Sequence, residues 1–343
     1  MKVGVIGCGG MGTTHYLSLK ALTAIMDLEV VALADSRQEF LEKAQACFPD
    51  ARVYYNGIEL IEKESLDMLH ICLPSYLHAE HAIAAMEKKI NVFVEKPLCL
   101  TNEDAKRILE TEKRTGVKAM VGQVVRSFGE YQYLKNVYDT KKFGKLKSIV
   151  MQRISGDVRW GQGDWFHDER RSGSVVLDLH VHDVDFLRYM LGEPKSFDVK
   201  ATAFENGMVN QIITAYEFED AFAVAEGVWD VSADMKFKAG FRACFEEATV
   251  VFDGTETPSL CVYKKDGNVE VPRLHMEYDV ESNEAGINIS NLGPYYTEIK
   301  YFAECVRDGK DIEKAPLVEG AKSVDLAIRE WEAAKKYLKK RFH

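Results

Sequence analysis

A chain of 343 residues with 46% apolar and 29% charged side chains is long enough for two folded domains and too apolar to be disordered. Its 54 acidic residues outnumber 44 basic ones, and the net charge of −10 argues against general affinity for nucleic acid or anionic membrane. No apolar run reaches the ~18 residues of a membrane span. The N-terminus enters a strand at once, which predicts no signal peptide, and seven scattered cysteines without a C-x-x-C pair fit reduced thiols in the cytoplasm.

The first twelve residues read MKVGVIGCGGMG. Val3, Val5 and Ile6 predict a short strand, Gly7, Gly9 and Gly12 follow in the spacing G-x-G-x-x-G, and Thr13 to Ala24 reads as a helix. Strand, glycine turn and helix in that order are the context of a dinucleotide site. Gly7 permits the tight turn, Gly9 lets a pyrophosphate approach the backbone, and Gly12 lets helix and strand pack closely. The alternative is a glycine-rich turn without a ligand. Against it stands Asp35, at the end of a second apolar strand, Leu28 to Ala34. A carboxylate about 20 residues after the glycines binds the adenosine ribose hydroxyls. Asp35 favours NAD, because it repels a 2′-phosphate, whereas Arg37 two residues on leaves NADP open.

Helices are expected over Gln38 to Cys47, Gly57 to Glu64, His78 to Lys88 and, capped by Thr101, up to Thr115. Strands alternate with them at Val53 to Tyr55, Asp67 to Leu73, Asn91 to Val94 and Val117 to Val121. The alternation predicts a doubly wound parallel sheet over residues 1–123, with ligands at the carboxyl ends of its strands. Two strand-end loops carry chemistry. Leu73-Pro74-Ser75-Tyr76-Leu77-His78 reads either as ordinary turn chemistry or as a loop beside the nicotinamide. Glu95-Lys96-Pro97 presents a lysine that is either a solvated charge or a hydrogen-bond donor to a substrate hydroxyl.

After residue 123 the pattern changes. A helix over Ser127 to Lys142 leads to strands at Leu146 to Ile154, Ser196 to Phe204, Val209 to Glu217, Phe222 to Trp229, Phe237 to Phe245 and Ala248 to Phe252. Residues 264–292 read as polar loop, and Pro294 to Gly309 and Val318 to Arg341 as helices. The second domain, residues 124–343, is therefore α+β with a large, mainly antiparallel sheet. Its last helix is the segment that would pack back on the first domain.

Residues 172–192, SGSVVLDLHVHDVDFLRYMLG, hold the second cluster. On a helix Asp178 and His182, four apart, share a face, and an Asp beside a His suits a general base. Capping acids beside a hydrogen-bonded histidine are the structural alternative. A metal reading of His180, His182, Asp183 and Asp185 lacks a second cluster of ligands, so no metal is expected.

Together these segments resemble the Gfo/Idh/MocA family, the glucose–fructose oxidoreductase and inositol dehydrogenase group. The resemblance rests on GCGGMG at 7–12, Asp35, LPSYLHAEHAIAAM at 73–86, VEKPL at 94–98, VGQVVRSF at 121–128, GSVVLDLHVHDVDFLRYMLG at 173–192 and KSVDLAIREWEAA at 322–334. It implies a catalytic trio of Lys96, Asp178 and His182. It also implies a cofactor site of Gly7, Gly9, Gly10, Met11, Gly12, Asp35, Ser36, Arg37, Leu73, Pro74, His78, Glu95, Lys96 and Gln123. The second domain would bind substrate and oligomerise through the open face of its sheet, as a dimer or tetramer.

The implied reaction is hydride transfer between a secondary alcohol of a sugar, glycoside or cyclitol and the nicotinamide, with His182 as acid/base and Lys96 on the reacting oxygen. Two other outcomes stay open: redox-neutral glycoside cleavage on tightly held NAD, and a non-catalytic NAD-binding regulator. Departures from the family are His180, where many relatives carry a small residue and which is here a candidate substrate contact, and Gln123, where many carry His or Phe. The stretch 157–171, DVRWGQGDWFHDERR, offers Trp160 and Trp165 as stacking platforms for a sugar, and Arg153 or Arg159 as a grip for an anionic group. Packed indoles in a surface loop are the alternative.

Overall fold

The computed structural model describes residues 1–159, 161–274 and 292–342. They form two compact units, one of residues 1–127 and 292–321, the other of 128–274 and 322–342. In the first unit β1 (Lys2–Ile6), β2 (Glu29–Ala34), β3 (Arg52–Tyr54), β4 (Met68–Ile71), β5 (Asn91–Glu95) and β6 (Ala119–Gly122) make one sheet in the order β3-β2-β1-β4-β5-β6. Every pairing is parallel. The helices α1 (Gly10–Leu22), α2 (Gln38–Cys47), α3 (Gly57–Lys63), α4 (His78–Glu87) and α5 (Asn102–Thr115) alternate with the strands. The uninterrupted apolar runs follow from this, because a parallel sheet covered on both faces buries alternate residues on either side. The strand order reverses at β1/β4, which is where such sheets open a crevice for a ligand. The expected cap at Thr101 forms, its Oγ1 accepting from the Asp104 amide at 3.0 Å.

The second unit contains α6 (Gly129–Asp139), β7 (Leu146–Ser155), α7 (Glu169–Ser172), α8 (Val181–Leu191), β8 (Ser196–Ala203), β9 (Val209–Glu217), β10 (Phe222–Trp229), β11 (Lys238–Phe245), β12 (Ala248–Asp253), β13 (Leu260–Lys264) and β14 (Val269–Glu270). Its eight strands run β14-β13-β12-β11-β7-β10-β9-β8, antiparallel throughout except for the parallel pair β7/β10. One face buries Ile149, Met151, Ala223, Ala225, Phe241 and Ala243. The other carries polar residues in register. Gln152 and Gln211 donate to opposite oxygens of Glu226 at 2.6 and 2.9 Å, with Ile213 and Phe222 exposed beside them.

Three local expectations change. The helix from Ser127 starts instead as a 3-10 turn, Val124–Ser127, and α6 begins only after an extended Phe128. The loop from residue 264 contains β14, and β13 precedes it unannounced, because a hairpin arm this short has too few alternations to register. The remainder of that loop, from 275 to 291, lies outside the described residues.

The helix α9 (Gly293–Asp308) belongs to the first unit, and α10 (Leu317–Phe342) enters the second from Lys322 onward. The compact units thus differ from a single cut after residue 123. The segment that returns to the first unit is α9 together with residues 317–321 at the start of the last helix. The cause is the apolar face of α9: Tyr296, Ile299, Phe302 and Ala303 share one buried cluster with Val5, Leu19, Met68 and Phe93.

Candidate functional site

The glycine turn has the geometry its spacing promised. Gly7 sits at φ +85°, and its amide donates to the Ala34 carbonyl at 2.7 Å. A Cβ on Gly7 would lie 2.5 Å from the Cys72 carbonyl oxygen, and one on Gly12 only 1.7 Å from the Gly7 carbonyl oxygen. The first turn of α1 is thus pressed onto the end of β1 at a distance no side chain permits. Gly9 caps α1 without a side-chain hydrogen bond, and the first turn holds no acidic residue. The amides of Gly10, Met11 and Gly12 begin a helix with partial positive charge at this end and no acidic residue in its own first turn, and Gly9, Gly10 and Met11 retain exposed surface. A pyrophosphate fits this cradle.

Asp35 is nearly buried, and both its oxygens accept backbone amides, from Cys8 at 2.8 Å and Arg37 at 2.9 Å. Its charge is therefore fixed in place between the glycine turn and Ser36. Arg37 lies 3.6 Å from the same carboxylate, stacks its guanidinium 3.7 Å over the Phe40 ring, and brings Nη2 within 3.1 Å of the space above Gly9. Arg37 Nε is buried and makes no hydrogen bond among the described residues, although the Asp35 carboxylate lies 3.6 Å away. Burial and the neighbouring Asp35 charge together push the Cys8 thiol up to about 12, so it stays protonated.

At the ends of β4 and β5, Leu73, Pro74 and Lys96 retain exposed surface. His78 does not. It is buried, with Nδ1 2.7 Å from the Pro97 carbonyl and Nε2 2.7 Å from the Leu73 carbonyl. Burial lowers its pKa against the pull of those carbonyls, so the neutral ring donates to one of them while it sits buried between the two strand-end loops. Glu95 also turns inward. One oxygen lies 2.8 Å from His15 Nε2, and the other accepts the Lys96 amide at 3.1 Å. Gln123 is buried just after β6, where its carbonyl accepts the Arg126 amide at 3.0 Å.

In the second unit a π-helical turn, Val176–His180, leads into α8. Across residues 172–188 every residue is buried except Asp178 and His182. Such widened turns recur at functional sites; here the turn carries Asp178, and His182 follows on α8, both reaching the surface of an otherwise buried segment. His180 is fully buried, 2.7 Å from Glu330 and 3.3 Å from the Tyr216 hydroxyl, so its expected contact with substrate gives way to a polar bond inside the unit. Arg153 is likewise internal. It pairs with Asp183 at 2.8 Å and donates to the Tyr131 hydroxyl at 3.1 Å, and with its charge spent there it offers no grip for an anion.

Trp165 is half-buried and stacks on Phe166 at 3.8 Å, with Phe166 set against Trp229. Trp160 lies outside the described residues. Arg159 donates to Asp157 at 2.8 Å, and His167 bridges Asp157 and Asp164 at 2.7 and 2.5 Å. Burial opposes the charge on His167, but the two carboxylates outweigh it and raise its pKa.

The sequence did not point to His15, His70 and Glu298 in the first unit or to Glu330 in the second. His15, one helical turn after Gly12, was visible as the T-T-H following the glycines, but its distant partners were not. No group of three metal-binding side chains occurs among the described residues, and no described helix is long and apolar enough to cross a membrane.

Residues 1–123 match the model of an oxidoreductase family described as an NAD-binding Rossmann fold, and residues 131–270 match that of the GFO/IDH/MocA C-terminal domain. The chain is 26% identical over 325 residues to the scyllo-inositol 2-dehydrogenase (NAD(+)) of Bacillus subtilis, covering 90% of this chain and 87% of that one. It is 32% identical over 193 residues to the myo-inositol 2-dehydrogenase of Thermotoga maritima, a match spanning about half of each chain, 56% and 55%. Levoglucosan dehydrogenase in complex with NADH superposes with a TM-score of 0.82 at 19% identity, over 98% of this chain and 97% of that one. The fitted glycine cradle, the fixed Asp35 and the two matched domains carry one conclusion: the chain belongs to the Gfo/Idh/MocA family of oxidoreductases, with an NAD-binding Rossmann domain at its N-terminus.

Proposed function

We propose that this chain is an NAD(P)-dependent dehydrogenase for a secondary alcohol of a sugar, glycoside or cyclitol, with His182 as acid/base, Asp178 as its partner and Lys96 on the reacting oxygen. The carrying observation is that Asp178 and His182 alone break the surface of a buried helical segment. When bound, the nicotinamide supplies the hydride chemistry. The protein's residues supply the rest. An imidazole titrates near neutral pH, so His182 takes a hydroxyl proton and returns it. The Asp178 carboxylate stabilises the imidazolium that forms. The Lys96 ammonium stabilises charge on the oxygen, and its position is set by β5, whose last residue binds the Lys96 amide. Gly7, Gly9, Gly10, Met11 and Gly12 would hold the pyrophosphate, with Asp35, Ser36 and Arg37 around the adenosine ribose.

Residues 1–123 then act as the dinucleotide-binding domain and 124–343 mainly as the substrate and oligomerisation domain, α9 excepted. Relatives named for inositol, glucose-6-phosphate and glucoside oxidation support a cyclic polyol as substrate. NAD is the favoured cofactor, because the Asp35 charge opposes a 2′-phosphate. The exposed Ile213 and Phe222 on the open sheet face support a homo-oligomer, and seven free cysteines suit the cytoplasm.

The test is absorbance of reduced nicotinamide with inositols, aldoses and glycosides, after native mass spectrometry for retained nucleotide. Net reduction of added NAD by a cyclic polyol supports the reading. Stoichiometric retained nucleotide with glycoside cleavage and no net reduction replaces it with the redox-neutral reaction. Nucleotide binding without turnover of any substrate leaves a regulator.

A further inference from the structure

Behind the strand end that carries Lys96, the first unit buries four titratable side chains from four elements: His15 on α1, His70 on β4, Glu95 on β5 and Glu298 on α9. Three are linked. His15 Nδ1 lies 3.0 Å from His70 Nδ1, and His15 Nε2 lies 2.8 Å from Glu95 Oε1. The fourth stands apart: neither oxygen of Glu298 meets a hydrogen-bond partner among the described residues, although the side chain is 2% exposed. Phe302, one turn later on α9, explains why it is there. That ring packs 5.6 Å from Phe93 and 6.0 Å from His70, which seats the same helix face over β4 and β5.

The hydrogen bonds restrict the protonation states. His70 Nε2 is buried without a partner among the described residues, so the proton of a neutral His70 belongs on Nδ1, where it donates to His15. His15 then holds its proton on Nε2 and donates it to Glu95. In this arrangement each contact has one donor and one acceptor, and Glu95 accepts from both His15 and the Lys96 amide. A second buried carboxylate facing Glu95 with no donor of its own is not sustainable in a dry interior.

We propose that Glu298 is a positioning residue that stays protonated behind Glu95, so that a single buried negative charge fixes the strand end carrying Lys96. Loss of its proton places two like charges against each other, pulls Glu95 from His15 and the Lys96 amide, and displaces Lys96. The groups facing this pair are few. The Cys72 thiol, on a half-buried residue, is kept neutral first by desolvation and then by the Glu95 charge. Arg126, on the 3-10 turn packed against α9, donates to the Lys314 carbonyl at 2.5 Å. Burial first, and Glu95 second, raises the Glu298 pKa well above the ordinary carboxylate value, in keeping with the geometry. The role of Lys96 in turnover rests on the dehydrogenase reading; the protonated state of Glu298 does not.

Glu298→Gln keeps the shape and cannot ionise. Melting temperature is measured for wild type and variant from about pH 5 to about pH 9, together with kcat/KM on the substrate found above. A carboxyl with a raised folded pKa loses stability as pH climbs above its unfolded value. The wild type therefore melts progressively lower relative to the variant as pH rises. Its kcat/KM falls on an alkaline limb, about tenfold per pH unit, that moves upward in Glu298→Gln. At neutral pH the variant stays within about threefold of wild type, because glutamine reproduces the neutral acid.

Equal pH slopes of melting in both proteins overturn the proposal. So does an alkaline limb that stays put in a variant whose melting slope has flattened. If Glu298→Gln does not fold, Glu298→Met, also without a proton to lose, carries the same expectations. If neither protein turns over any substrate, the dehydrogenase reading fails. The melting slope then decides the proton, and NAD affinity across the same pH range replaces turnover.

Discussion

Replacing Gly12 with alanine tests whether the glycine turn is a steric necessity. The added methyl would stand 1.7 Å from the Gly7 carbonyl oxygen and 2.7 Å from its carbon. An ordinary carbon–oxygen contact is about 3.3 Å, so roughly 1.6 Å must be found by moving backbone. Gly7 cannot yield, because its amide is tied to Ala34 and its own open side faces the Cys72 backbone at 2.5 Å. The start of α1 must lift away from β1. Overpacking of this kind costs about 3 kcal/mol, the upper end of its usual range, since no flexible side chain can absorb it. In a unit of this size that lowers the first melting transition by about 6–12 °C. The lifted amides no longer converge on the pyrophosphate, and NAD affinity drops about a hundredfold, the equivalent of a similar energy. Scanning fluorimetry and calorimetric NAD titration read both. Gly116→Ala is the control: φ there is +67° but nothing lies within 4 Å, so about 1 kcal/mol is lost with NAD affinity unchanged. A Gly12→Ala protein with wild-type melting and NAD affinity would refute the close-packed turn.

Three further outcomes are expected. Lys96→Ala and His182→Ala each lower kcat by about 10²–10⁴-fold while calorimetry finds NAD binding largely retained; full turnover in both removes the assigned roles. Asp35→Ala raises the NADP-to-NAD ratio of kcat/KM at least about tenfold, since the fixed carboxylate is replaced by an open site next to Arg37; an unchanged ratio would mean that Asp35 does not meet the ribose. Arg153→Met strands the fully buried Asp183 charge and destabilises by about 3–5 kcal/mol in chemical denaturation, whereas the double change with Asp183→Leu recovers most of it. If Arg153→Met instead raised only the substrate KM, the internal ion pair would be secondary to ligand binding.

The short-range features were legible for a physical reason: each depends on neighbours within a few residues. The G-x-G-x-x-G turn, the Thr101 cap and the alternation of strand and helix all follow from local sterics and hydrogen bonding, and all formed where expected. The D-x-x-x-H stretch is helical, but Asp178 stands on a π-helical turn and His182 at the start of α8, not both on one regular α-helix. What misled was type without partner. His180, Arg153, His78 and Glu95 are residue types that bind ligands, and each is engaged inside its own unit by a group far away in the chain: Glu330, Asp183, Pro97 and His15.

Backbone chemistry over short spans set the class of sheet, the position of the phosphate turn and the acidic residue at the second strand end, and with them the family. Tertiary packing sorted the polar side chains into those that meet solvent and those consumed in the interior. It returned α9 to the first unit through an apolar face shared with α1, β4 and β5, which buried Glu298 close enough to feel the Glu95 charge across 203 positions of sequence. It left Asp178 and His182 as the two surface-reaching members of a buried segment. Burial is a property of the packed whole, and no spacing within one segment can specify which distant element will cover it.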